Sequence, residues 1–264
     1  MTFFKHNGLK LHYFDEAPTE PVATRPALLF IHGAGASHIL WTPQIKYFKL
    51  THRVIAMNLS GHAESQAKEE DPEIETQFAP ELASLIQHLS LDNFVLIGHS
   101  MGGGVAMSYV LQDGVRMPRA LVLVSTSSDL DMRKRGSGVA KEAIEINLFL
   151  LQSALKRVKS PEYEIKRAGA KVSLTNPWIM QRDLLACDHF NISDRVGEIT
   201  IPAFVIVGEH DDLIPPSIAK QLEEALPRAD IAVVRGASHS PMIEQPEEFN
   251  KLLSKFLKWV ESNL

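Results

Sequence analysis

Six short apolar runs constrain this chain more than any other feature. They are Ala27–Ile31, Arg53–Met57, Phe94–Ile97, Ala120–Val124, Ala203–Val207 and Ile231–Val234, and each ends in turn-forming residues. They are continuous rather than alternating, as in strands of a parallel sheet with helices on both faces. Helical patterns lie between several of them. Glu81–Leu89 puts Leu82, Leu85, Ile86 and Leu89 on one face. After Pro246, Phe249, Leu252, Leu253, Phe256, Leu257 and Val260 form one stripe. Alternating strands and helices predict an α/β fold with a doubly wound, mostly parallel sheet. At 264 residues and 45% hydrophobic, one large domain can bury a sizeable core.

The alternation breaks at 129–195, where "AKEAIEINLFLLQSALKRV" has helical texture and no strand-like run occurs. That length exceeds a crossover and predicts an inserted helical cap over 129–195, with the core domain built from 1–128 and 196–264. At the start, "FFKHNGLKLHYFDE" alternates around Asn7-Gly8, which predicts a hairpin. A net charge of −5 does not suit a polyanion binder, so no nucleic-acid partner is expected. The basic run Met132–Arg135 reads as a solvated loop. Cys187 is the only cysteine, which excludes an internal disulfide and reads as a buried thiol. No secretory leader or membrane-length apolar run is evident, so a soluble, cytoplasmic protein without a membrane partner is expected. Oligomeric state is not legible.

"FVLIGHSMGGGVAM", Phe94–Met107, joins an apolar run directly to a helix-like stretch through Gly98-His99-Ser100-Met101-Gly102. A sharp strand-to-helix turn forces its central residue into a strained backbone conformation, and glycines on either side relieve the crowding. Such a turn leaves Ser100 Oγ standing above the sheet. A hydroxyl is a weak nucleophile alone, so the reading requires a histidine base and an acid to orient it.

Among eleven histidines, His239 lies in a loop between the last strand-like run and the last helix, within reach of the strand ends. His99 adjoins the serine and is expected to point elsewhere, and His32 is expected to prop the glycine loop. For the acid, "AFVIVGEHDDLIPP" offers Glu209, Asp211 and Asp212 after a strand. Asp211 is preferred; Asp212 and the pair Asp129 and Asp131 remain alternatives. Acyl transfer also needs donors for a developing oxyanion. The backbone N–H of Met101 is one, and "FIHGAGAS" can supply the N–H of Ala34. No metal-ligand spacing of the H-E-x-x-H kind is present, and no metal or cofactor is expected.

These segments, with "AMNLSGHAES", "IVGEHDDLIPP" and "GASHSPMIEQPEEF", resemble the α/β-hydrolase superfamily, in its cap-bearing group. The resemblance spans nearly the whole chain. It implies the α/β-hydrolase fold, Ser100 as nucleophile, Asp211 as acid, His239 as base, and Ala34 and Met101 as oxyanion donors. The chain departs from the family at Asn58, Ser60 and Ala63, where relatives usually carry aspartate, arginine and glycine.

The resulting expectation is a serine hydrolase, a carboxylesterase cleaving small carboxylic esters through an acyl-serine intermediate. The first alternative is hydrolysis of a C–C bond in ring-cleavage diketones. Relatives of that kind often have asparagine before the serine and an aromatic after the histidine, where this chain has His99 and Ser240. Relatives cleaving lactones, prolyl peptides or forming peracids remain open. An alternative of another class is a non-catalytic small-ligand receptor on the same fold.

Overall fold

The computed structural model describes residues 2–20, 24–68, 71–131 and 177–263. Eight strands form one sheet: β1 (Thr2–His6), β2 (Leu9–Glu16), β3 (Ala27–Ile31), β4 (Val54–Met57), β5 (Phe94–His99), β6 (Ala120–Val124), β7 (Ala203–Gly208) and β8 (Ala229–Val234). Their order is β1-β2-β4-β3-β5-β6-β7-β8. β1–β2 and β2–β4 are antiparallel, and every other pair is parallel. The expected hairpin closes at Asn7 and Gly8, both with positive φ, and pairs His6 with Leu9. Each apolar run has become a strand within two residues of its expected bounds. The doubly wound, mostly parallel sheet is therefore observed.

Five helices matter for the site and the core: α1 (Thr42–Phe48), α2 (Ala79–His88), α3 (Met101–Val110), α4 (Pro177–His189) and α5 (Pro216–Ala225). A sixth, α6 (Pro246–Asn263), closes the chain. The two faces of the sheet bury separate clusters. Leu29, Ile31, Leu96, Leu121 and Val205 point to the face covered by α2 and α3. Leu28, Phe30, Ile97, Val122 and Ile206 point to the face covered by α1 and α6. Both sides of β3, β4, β5, β6 and β7 are thus dry, which is why those runs do not alternate. Each fully buried Leu, Ile or Val side chain contributes about 1.5–3 kcal/mol relative to exposure. In α6 the stripe splits by depth: Phe249, Leu253, Leu257 and Val260 are buried, and Leu252 and Phe256 pack at its margin.

Strand order places the chemistry. From β3 the chain moves outward to β4, then returns to place β5 on the other flank of β3. The order reverses there, and the carboxyl ends of β3 and β5 open a crevice of the kind where ligands bind in such sheets. The "HGAGAS" loop leaves β3, and Ser100 follows β5, on the two sides of that crevice.

Of the expected cap, residues 132–176 lie outside the described residues, along with the basic run and the apolar residues Ile144, Leu148, Phe149 and Leu151. The remainder is α4 and its flanks, tied to the sheet side by an isolated bridge between Asp129 and Asn191.

Candidate active site

Ser100 is the residue between β5 and α3, with φ 51° and ψ −119°. A non-glycine residue at positive φ is held there by its surroundings at a cost of order 1–3 kcal/mol. The restraints are visible. Ser100 N–H donates to Val124 O at 2.9 Å, and its carbonyl accepts from Gly103 N–H (2.9 Å) and the Thr126 hydroxyl (2.8 Å). The flanking glycines are steric requirements. A Cβ on Gly98 would collide with the Gly102 carbonyl, and one on Gly102 would sit 2.5 Å from the carbonyl oxygens of Ile31 and His32.

The loop after β7 turns at Gly208 and buries Asp211, whose Oδ1 accepts the amides of Leu213 (3.0 Å) and Ile214 (2.9 Å). His239 comes from the loop between β8 and the short helix Pro241–Glu244, and its Nδ1 lies 3.0 Å from each Asp211 oxygen. Burial alone would push the Asp211 carboxyl up. The facing His239, its hydrogen bond and the Ile214 N–H outweigh that and hold it below the usual carboxylate range. Asp212 is exposed. Glu209 accepts Gly236 N–H, while Asp129 accepts Asp131 N–H and Asn191 Nδ2.

Ser100, His239 and Ala34 line one cleft, and Asp211 stands behind His239. Met101 opens α3 directly after Ser100, where a helix leaves its first amides without intrahelical acceptors. The remaining described walls are mostly apolar: Leu130 after β6, Met180, Leu184 and Cys187 from α4, and Leu213 and Ile214 beside the acid. Cys187 is buried, as expected, and also forms part of this wall.

A model of the alpha/beta hydrolase family matches residues 28–252. The chain belongs to that family. This hydrolase is 27% identical over 245 residues to the putative carbamate hydrolase RutD of Escherichia coli, covering 88% of this chain and 91% of the relative. It superimposes on a thermophilic esterase from Thermogutta terrifontis with a TM-score of 0.80 and 25% identity, covering 98% of this chain and 97% of that one. An enol-lactonase from Burkholderia xenovorans shares the fold, with a TM-score of 0.80, 22% identity and coverage of 97% and 100%.

One expectation about the hydrolase's site needs correction. His99 does not point away. Its ring lines the cleft, lies 4.9 Å from the His239 ring, and Nε2–H donates to the His239 carbonyl at 2.8 Å. The ring fits because Gly33 lacks the Cβ that would sit 2.7 Å from His99 Nδ1. Arg182, on the same helix as the α4 wall residues, does not line the cleft. It is buried, stacks 4.4 Å over Trp178 and lies 3.8 Å from Asp71. Among the described lining residues no lysine, arginine or carboxylate occurs.

His32 does prop the loop: Nδ1–H donates to Gly33 O (2.8 Å), and Nε2 accepts Leu59 N–H (3.2 Å). A cluster of His12, His38 and Glu64 brings donor atoms within 4.8 Å of one another. Asn58 bonds two of its members, donating Nδ2–H to His12 Nδ1 at 2.8 Å and accepting His38 N–H at 2.7 Å.

Burial holds the His99 ring neutral, pushing it down to about 3, and holds His32 well below its ordinary value, in each case reinforced by a neighbouring histidine. Both folded values lie below the unfolded value of 6.5. Above that pH neither ring distinguishes folded from unfolded chain. Below it the unfolded chain takes protons that the folded chain refuses, so stability falls by about 1.4 kcal/mol per pH unit for each ring. Urea unfolding at pH 7, 6 and 5 should show a steepening loss on acidification, and His99→Gln should reduce it. A flat profile from pH 6.5 to 5 would contradict the assignment of neutral buried rings.

Among the described residues, no helix is long and apolar enough to cross a membrane.

Proposed function

We propose that this hydrolase cleaves small, uncharged carboxylic esters through an acyl-serine intermediate. The observation that carries the reading is the convergence at one apolar cleft of Ser100 on a strained elbow and His239 backed by the buried Asp211 carboxylate. In this reading His239 Nε2 removes the Ser100 proton as Oγ bonds to the ester carbonyl carbon. The carbonyl oxygen becomes an oxyanion and takes hydrogen bonds from the Ala34 and Met101 amides, each worth about 10²–10³ in rate where such donors have been removed. Collapse breaks the C–O bond, and His239 hands its proton to the leaving alkoxide. Water, deprotonated by the same ring, then releases the acid and restores the serine. Asp211 stays ionised throughout, fixing the tautomer and stabilising the imidazolium.

A second reading follows from the relatives named carbamate hydrolases: the same serine would form a carbamoyl intermediate, and an uncharged cleft suits that substrate equally well. The C–C bond reading has less support. Ring-cleavage diketones carry carboxylates, and the described walls offer no cationic partner for one. The receptor reading shares the geometry and separates from the enzyme only by turnover.

One substrate panel tests all of these: short- and long-chain p-nitrophenyl esters, a p-nitrophenyl carbamate, a prolyl amide, a lactone and a ring-cleavage diketone. Multiple turnover should be fastest on short esters. A diketone kcat/KM about a hundredfold above the esters, roughly 2.7 kcal/mol of transition-state preference, would overturn the ester reading. Serine labelling without turnover on any substrate would favour the receptor.

A further inference from the structure

Ala34 sits at the middle of a three-residue turn, Gly33–Gly35, and the structure anchors that turn at both ends by buried side chains. At one end His32 Nδ1–H holds the Gly33 carbonyl at 2.8 Å. At the other, Gly35 N–H donates to Asp183 Oδ2 at 2.7 Å, across 148 residues of sequence. The same Asp183 oxygen faces His62 Nε2 at 2.7 Å. Both side chains are fully buried, with relative exposures of 0% and 2%.

The protonation state of His62 follows from its partners. Its Nδ1 lies 3.1 Å from the Ser60 carbonyl and its Nε2 meets a carboxylate, and neither acceptor can donate. Each ring nitrogen must therefore carry a hydrogen, and the ring is an imidazolium. Burial works against that charge, but Asp183 and the carbonyls of Ser60 and Leu59 outweigh it and raise the ring above its ordinary value. A charge pair taken wholly out of water stabilises a fold little, because desolvation offsets most of the attraction. What this pair holds is the better account of it. Asp183 belongs to α4, His62 to the loop after β4, and Gly35 to the loop after β3. Met180, one turn earlier on α4, fills the space where a Gly35 side chain would stand.

We propose that Asp183, charged and locked by His62, is a positioning residue that sets the Ala34 amide for the oxyanion by clasping the next amide in the chain. This rests on the proposal that Ala34 N–H is an oxyanion donor. The Gly33 carbonyl held by His32 lies in the same peptide plane as the Ala34 N–H, and the Gly35 N–H held by Asp183 fixes the next plane, Ala34–Gly35. The two planes hinge at the Ala34 Cα, so holding both leaves the Ala34 N–H one direction. Because the acceptor is carried on α4, that helix is coupled to the transition state as well as to the cleft wall.

The test compares Asp183→Asn, Asp183→Ala and His62→Gln with the parent enzyme on the best ester of the panel, with thermal unfolding to establish folding. Asparagine retains an acceptor for Gly35 N–H, and alanine removes it. The expected order of kcat is parent, then Asp183→Asn, then Asp183→Ala, with the alanine variant down about 10- to 100-fold and KM within threefold. That range is part of what deletion of a whole oxyanion donor costs. Affinity for a trifluoromethyl ketone, which forms a tetrahedral adduct on the serine, should fall by the same factor as kcat/KM. If Asp183→Ala does not fold, His62→Gln, which leaves the acceptor but unlocks it, should show the same split. Unchanged kcat in folded variants, a loss confined to KM, or undiminished ketone affinity would overturn the clasp. Ser100→Ala run alongside separates the two readings. An inactive Ser100→Ala with a fully active Asp183→Ala overturns only the clasp, whereas an active Ser100→Ala overturns the serine reading itself.

Discussion

Ser100→Ala should leave the fold intact and lower kcat/KM on the best ester by a factor on the order of 10³ or more. The substitution removes one oxygen from a residue whose backbone, not its side chain, makes the structural contacts: the Val124, Gly103 and Thr126 hydrogen bonds all involve Ser100 main-chain atoms. Alanine also tolerates the positive φ about as well as serine, so the melting temperature should change little. What is lost is the atom that forms the covalent bond. Residual catalysis by the oxyanion donors and the cleft sets the floor, which for comparable triads lies about 10³–10⁴ above the uncatalysed reaction. Steady-state kinetics of the purified variant, with circular dichroism as the folding control, checks the result.

Asp211→Asn should cost a comparable amount, on the order of 10³–10⁴ in kcat. An asparagine can still accept the Leu213 and Ile214 amides through Oδ1, so the turn survives. Facing His239 Nδ1, however, its amide donates where the carboxylate accepted, which favours the wrong imidazole tautomer and removes the charge that stabilises the imidazolium. Asp212→Asn, Asp129→Asn and Asp131→Asn should each stay within about threefold of the parent, since no hydrogen bond joins any of the three to His239. If Asp129→Asn proved the most damaging of the four, the acid would belong after β6.

How much of this was legible in the sequence depends on the range of the interactions involved. The strands could be read because burial on both faces writes itself into contiguous runs such as "ALLFI" and "ALVLV". The elbow is legible because its glycines lie within two residues of Ser100: Gly98 avoids a collision with Gly102 inside the turn, and Gly102 avoids the Ile31 and His32 carbonyls at the end of β3. Asp211 and Asp212 are hard to tell apart in the sequence, since one residue of turn geometry decides which carboxylate is buried and which is exposed. The direction of His99 is not legible locally, because it depends on Gly33, in the loop after β3, leaving room for its ring. The pairing of His62 with Asp183 spans 121 residues and joins two segments with no shared pattern, so nothing in either stretch announced it. Local steric chemistry is written in the sequence, and long-range polar partnership emerges only when the sheet brings loops together.

Covalent capture tests the central claim most directly. The wild-type hydrolase should react rapidly with a fluorophosphonate, gain one adduct by intact mass, and lose ester turnover in step with labelling. Peptide mapping should locate the adduct on Ser100, and Asp211→Asn should slow its formation. Undiminished ester turnover after stoichiometric labelling, or an adduct on any residue other than Ser100 that tracks the loss of activity, would contradict the account.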